Sequence, residues 1–176
     1  CLFPFEPELL RRAGVAASYV GHPLADVIPL QVPRSEARLR LGLGEHELVV
    51  AVLPGSRLGE IKLIAPQFLQ AVALLHRRRP DMRFVLPVTA GVRQALTPML
   101  ETDAPGVPVD VVDGRSHDAL AACDATLIAS GTATLEAALF KRPMVIGYRS
   151  HWLNAMLWKR LGYLPWVGLP NILCNA

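Results

Sequence analysis

The residues best suited to chemistry lie in two short runs, LPGSRLGE at residues 53–60 and LIASGTATLE at residues 127–136. Each passes from an apolar stretch with strand character into a Gly/Ser/Thr turn, then into a helical pattern carrying a glutamate. Two such turns on one edge of a parallel sheet would gather backbone N–H groups and hydroxyls. Helix N-termini present unpaired donors and the positive end of a dipole, so such an edge suits a diphosphate. Glycine lets an anion come close to the backbone. The combination predicts a chain that handles a nucleotide diphosphate.

Residue by residue, each functional role has a plainer alternative. Gly55 and Ser56 fit a tight turn at the carboxyl end of a strand. Arg57 then projects over the crevice where open α/β sheets bind ligands. Its planar fork matches phosphate oxygens or a carboxylate, and a surface pair with Glu60 is the plain role. Ser130, Gly131 and Thr132 end the fourth strand, and Thr132 or Thr134 can cap or begin the next helix. Glu136 stands in the first turns of that helix, where it can accept hydrogen bonds from two adjacent ribose hydroxyls or simply offset the dipole. Asp113, Gly114 and Arg115 either read a base edge through backbone groups or form an ordinary strand-to-helix turn. His22 and His117 read as structural, and His22 with Asp26 makes no triad without a nucleophile. Asn171, polar within an apolar stretch, is a candidate to face the crevice. The first run lacks the lysine and spacing of a Walker A loop, and no GxGxxG follows the first strand.

These residues need a scaffold, and the chain alternates strand and helix patterns from residue 47 onward. ELVVAVLP (47–54) is a continuous apolar run, the mark of a strand covered on both faces. The next helix carries Ile61, Ile64, Phe68, Leu69, Val72 and Leu75 at helical spacing, and Pro66 predicts that its regular part starts just before that residue. RFVLPV (83–88), PVDVVDG (108–114), ATLIAS (125–130) and PMVIGYR (143–149) follow as strands, with helical segments between them. The expected fold class is α/β, a doubly wound parallel sheet of Rossmann-like type. Residues 1–34 are proline-rich and read as a connector, with a short helix, then a short strand in ASYV meeting a Gly-His-Pro turn. Residues 35–176 form the main domain. HWLNAMLWKRLGYLPW (151–166), with Trp152, Trp158 and Trp166, reads first as a helix packing on the sheet or on a further domain. Its second reading is a helix at a membrane interface.

The 176 residues suit one domain, and 52% hydrophobic residues allow a sizeable core. The net charge of +3 is dispersed apart from Arg77, Arg78 and Arg79 at a helix end, and no basic patch with interleaved aromatics points to nucleic acid. Cys1, Cys123 and Cys174 show no metal or CxxC spacing and read as reduced, packing cysteines. Beginning at Cys1, the sequence is expected to be a piece of a longer protein.

Taken together, YVGHPLAD (19–26), LPGSR (53–57), VDG (112–114), ASGTATLEAAL (129–139), PMVIGYR (143–149) and LPNIL (169–173) resemble the lipid-A-disaccharide synthases, inverting glycosyltransferases of the GT-B architecture. The resemblance implies the C-terminal, donor-binding half of a two-domain enzyme. Such enzymes transfer 2,3-diacylglucosamine from UDP to 2,3-diacylglucosamine 1-phosphate, peripheral to the cytoplasmic face of the inner membrane, without metal or cofactor. By position, Arg57 would stabilise the departing diphosphate, which Gly55, Ser56, Ser130, Gly131 and Thr132 would cradle. Glu136 would hold the ribose, Gly114 and Arg115 would lie near uracil, and Asn171 would join the site. The general base, an aspartate, is expected in the N-terminal domain and maps to no residue here. The acceptor is expected to bind mainly there, and dimerisation is expected only in the full-length protein. Two rivals stand beside this reading: a UDP-N-acetylglucosamine 2-epimerase-like enzyme, needing further acid/base groups in the crevice, and a non-catalytic Rossmann-like interaction module.

Overall fold

The described residues of the computed structural model are 1–89, 91–149 and 168–174. In chain order they form α1 (Glu6–Arg12), α2 (Leu24–Val27), α3 (Arg34–Leu41), β1 (Val49–Leu53), α4 (Leu58–Arg78), β2 (Arg83–Val88), α5 (Arg93–Asp103), β3 (Val109–Asp113), α6 (Ser116–Ala122), β4 (Ala125–Ala129), α7 (Thr132–Leu139), β5 (Met144–Gly147) and α8 (Leu169–Cys174). The aromatic segment 151–166, with Trp152, Trp158 and Trp166, lies outside the described residues.

All five strands are parallel, in the order β3-β2-β1-β4-β5. The chain winds outward from β1 through β2 to β3, then returns to lay β4 and β5 on the other side of β1. That reversal requires helices on both faces, and the core divides accordingly. Val50, Val52, Phe84 and Leu86 pack with Ile61, Phe68 and Leu69 of α4 and Leu96 of α5. The alternate positions Val49, Ala51, Leu53 and Val85 pack with Ala37 of α3, Leu120 of α6 and Ala137 of α7. Every residue of β1 is buried, as its unbroken apolar run requires. The doubly wound parallel sheet read from the sequence is therefore the fold observed.

Two local expectations are corrected. Helix α4 runs through Pro66 rather than starting beside it. Buried Ile61, Ile64 and Ala65 on one side of the proline and Phe68 and Leu69 on the other hold both halves to the sheet. The bond given up is to the carbonyl of Lys62, an exposed residue that water can serve. Residues 15–20 join no sheet, although Val20 N–H donates to the Cys1 carbonyl (3.0 Å). Further along the N-terminal segment, buried Ile28 packs with the α3/α6/α7 side of the core. Lys141 Nζ donates to the Leu30 carbonyl (2.6 Å), fixing that stretch against the end of α7.

The amino edge of the sheet is closed by a buried cation. Arg38 is 1% exposed. Its Nε donates to the Ala122 carbonyl (3.0 Å), Nη1 to the Gly44 (2.7 Å) and Glu45 (2.6 Å) carbonyls, and Nη2 to Asp124 Oδ2 (3.0 Å). Asp124 also accepts from the Val49 N–H (2.8 Å) and from Arg34. One carboxylate thus joins the starts of β1 and β4 to α3. Removing one partner of a buried, hydrogen-bonded pair strands the other. Arg38→Ala should accordingly lower the unfolding free energy by about 3 kcal/mol or more, read from the urea midpoint.

Next to this network, Cys123 is fully buried, and burial pushes its thiol up to about 11, more than nearby Arg142 pulls it down. The reactive thiolate is then scarce at pH 8. In the native chain Ellman's reagent should label exposed Cys174 and half-buried Cys1 readily, with Cys123 reacting only on unfolding.

Candidate functional site

The site arises where the winding reverses. Strands β1 and β4 are hydrogen-bonded neighbours, with Leu53 opposite Ile128. The helices that follow them, α4 and α7, cover opposite faces. Their connecting turns separate at the carboxyl edge and leave a crevice there. It is a cavity of ≈ 490 Å³ lined by both turns and by the ends of β2 and β3.

Eight of the residues read from the sequence line this one cavity: Gly55, Ser56, Arg57, Gly114, Ser130, Gly131, Thr132 and Glu136. Arg57 and Gly131 thus meet a common space from two adjacent strands. Gly55 has φ +120°, and a Cβ there would lie 2.9 Å from Glu60 Oε2 and 3.1 Å from Glu60 Cβ. Gly131 has φ +146° and precedes the first residue of α7. Among the described residues, chain neighbours aside, no atom lies within 4 Å of where its Cβ would be, which leaves room for a ligand at its backbone. Neither α4 nor α7 carries a side-chain cap at its start. Two helix N-termini therefore face the cavity with their first-turn donors available to an anion.

Arg57 occupies the N-cap position of α4 in extended conformation, and its carbonyl accepts from the Ile61 N–H (3.0 Å). Its side chain is 84% exposed, with Nη1 3.2 Å from Glu60 Oε1. This is the surface pair weighed as the plain role. Such an exposed pair contributes little, so a phosphate group can draw the guanidinium away at small cost. Glu136 sits one turn into α7, its side chain 20% exposed, with Oε2 3.7 Å from His117 Nε2. The N–H of Gly114 donates to the Val88 carbonyl (2.8 Å), which draws the end of β3 up to the cavity floor.

Two candidates are not brought to the cavity. Arg115 is tied down beside it: Nε donates to Asp118 Oδ2 (3.0 Å) and Nη1 to the Arg40 carbonyl (3.0 Å). The α3 C-terminus and Asp118 attract this cation more directly than an open crevice does. Asn171 lies in α8, which packs on α7, and it too is absent from the cavity wall. His22 holds a local turn, its Nδ1 accepting from the Leu24 N–H (3.2 Å), and Asp26 is exposed on α2. The sequence reading overlooked Thr89, directly after β2, and Ser116, the first residue of α6, which both line the cavity. The Thr89 hydroxyl donates to the Ser56 carbonyl (3.2 Å), bracing the first turn. Its position directly after a strand on the carboxyl edge was the available signal. Among the described residues no group of three or more His, Cys, Asp or Glu is placed to hold a metal ion.

A family model for lipid-A-disaccharide synthetase matches residues 1–176. Two relatives named lipid-A-disaccharide synthase, from Albidiferax ferrireducens and Verminephrobacter eiseniae, are 53% and 55% identical over 175 residues. The match covers 99% of this chain and 45% of each relative, so the chain spans about half their length. Among solved structures, the fold is similar to that of WaaG, a glycosyltransferase involved in lipopolysaccharide biosynthesis. The TM-score is 0.51 at 21% identity, over 66% of this chain and 33% of that one.

The turn at Gly55 gives a direct check on the site's local geometry. Gly55→Ala forces an L-residue to φ +120° and drives a methyl against Glu60. It should destabilise the chain by about 1–2 kcal/mol in thermal or urea unfolding.

Proposed function

The chain belongs to the lipid-A-disaccharide synthetase family, and from that membership we propose that it supplies the UDP-sugar donor site of a glycosyltransferase. The observation that carries this reading is the single cavity shared by Arg57, Gly131 and the N-termini of α4 and α7. Cleaving the sugar–phosphate bond of a UDP-sugar leaves negative charge on the diphosphate. Fixed N–H dipoles and a mobile guanidinium, already present before that charge develops, stabilise it without reorganisation. In this reading the turns 55–57 and 130–132 receive the diphosphate, and Arg57 leaves Glu60 to meet it. Glu136 accepts from the ribose hydroxyls, and the wall formed by Gly114 with Ser116 borders the base.

In this reading the transferred group is 2,3-diacylglucosamine and the acceptor 2,3-diacylglucosamine 1-phosphate, the substrates that the motif resemblance implies. The acceptor's 6-hydroxyl needs a base to take its proton. That base belongs to the part of the longer protein preceding these residues, reached through the 1–34 connector, and 35–176 act as the donor domain. The whole enzyme is proposed to work at the cytoplasmic face of the inner membrane, as a homodimer. An epimerase-like reaction has less support. Among the described residues lining the cavity, the titratable side chains are Arg57, Glu60 and Glu136. The UDP reading assigns Arg57 to the diphosphate and Glu136 to the ribose, and an epimerase would have to use Glu136 with neighbouring His117 as acid/base groups instead.

Calorimetry with UDP tests the reading. The chain should bind UDP, and Arg57→Ala should weaken binding by about tenfold or more, the scale of a charge-assisted hydrogen bond. Absence of any UDP heat or thermal shift would favour the interaction-module alternative.

A further inference from the structure

Glu136 is not alone at the cavity rim. His117, the second residue of α6, brings Nε2 to 3.7 Å from Glu136 Oε2, within ion-pair range and longer than a hydrogen bond. The imidazole is also held from another side. Its centroid lies 5.4 Å from that of Phe140, with the ring planes at 62°. Phe140 is 3% exposed and belongs to the core beneath α7, so it forms a fixed wall. Glu136 and Phe140 are four residues apart and therefore neighbours along α7. His117 lies across both and joins α6 to α7 at the mouth of the site.

A carboxylate has two oxygens that can accept from different partners. With the imidazole beside Oε2, the Oε1 edge is left to receive a ligand. A glutamate free in solvent would lose rotamer freedom on binding, and a neighbour that fixes it beforehand reduces that loss. In the UDP-site reading the diphosphate would be received elsewhere, at the turns of Gly55 and Gly131, which line the same cavity. We propose that His117 is a positioning residue that presents the Glu136 carboxylate to the vicinal diol of a nucleotide's ribose. The inference rests on the UDP-site reading and adds to it the residue that lets the site tell ribose from deoxyribose.

The test uses the full-length protein that carries this chain, titrated calorimetrically with UDP and with 2′-deoxy-UDP. Wild type should prefer UDP by about tenfold, the scale of one hydrogen bond to a charged acceptor. His117→Ala should shrink that preference to about twofold or less, by weakening UDP while leaving 2′-deoxy-UDP nearly unchanged. His117→Gln keeps an N–H donor near Glu136 and should recover part of the preference, reporting on the role even if the alanine variant folds poorly. Equal loss of affinity for both ligands would mean that His117 acts only through packing on Phe140, and the proposal would be overturned. An unchanged preference in His117→Ala would overturn it as well. Wild type that binds both ligands equally sinks this inference and leaves the UDP site standing; wild type that binds neither removes both.

Discussion

The site depends on one topological constraint: β1 and β4 share a hydrogen-bonded ladder, yet the helices that follow them lie on opposite faces of the sheet. A right-handed crossover from β1 carries α4 to one face, and the same handedness on the returning path carries α7 to the other. The two turns must therefore part at the carboxyl edge. No side chain from within the sheet can fill the gap, because the strands end there. Glycines at 55 and 131 allow the backbone to leave the strands at φ values that other residues resist. The result is a crevice onto which the starts of α4 and α7 open.

The opposite edge of the sheet is built on different terms. There Arg38 and Asp124 close the ends of β1 and β4 with a buried network that reaches four backbone carbonyl or amide groups. Arg142 adds to it, donating to the Leu120 and Ala121 carbonyls at the end of α6, and burial lowers its guanidinium's affinity for the proton. One edge thus pairs most of its polar groups within the protein, with the buried Arg34 Nε the exception, and the other leaves helix-start donors for a ligand. The sheet transmits the order of the first edge to the second. Since β1 and β4 are fixed in register at their starts, their ends arrive level.

What could be read from the sequence follows the same division. Signals that depend on the repeat of the main chain were plain. RFVLPV gave the β2 bounds, 83–88, and the apolar spacing of Ile61, Ile64, Phe68, Leu69 and Val72 gave the buried face of α4. Eight residues that line the cavity also followed, because strand-end turns with Gly, Ser and Thr must lie on the carboxyl edge of a parallel sheet. Features that depend on a choice between tertiary partners were not legible. Arg115 stands next to Gly114 in sequence, but its charge goes to Asp118 and to the end of α3, seventy-five residues away along the chain. Pro66 was read by its local effect, and packing on both sides of it decided otherwise. Nothing in the sequence around Arg38 names its partner, and only the fold brings Asp124 to it.

The charges in the cavity bear on what kind of ligand it suits. The chain carries a net charge of +3, but among the described residues the titratable side chains lining the site are one arginine and two glutamates. On the proposed function, attraction for a diphosphate would come from the helix starts and from Arg57 once released by Glu60, since side-chain charge alone does not supply it. A bare anion would gain those contacts and also meet the field of Glu136. In the proposed function a nucleotide diphosphate differs, since its ribose would bring hydroxyl donors to the carboxylate while its phosphates would reach the turns. The acidic residue is then an attractive partner for one end of the ligand and a repulsive one for a phosphate without a sugar. Selectivity built in this way uses the unfavourable contact as well as the favourable one.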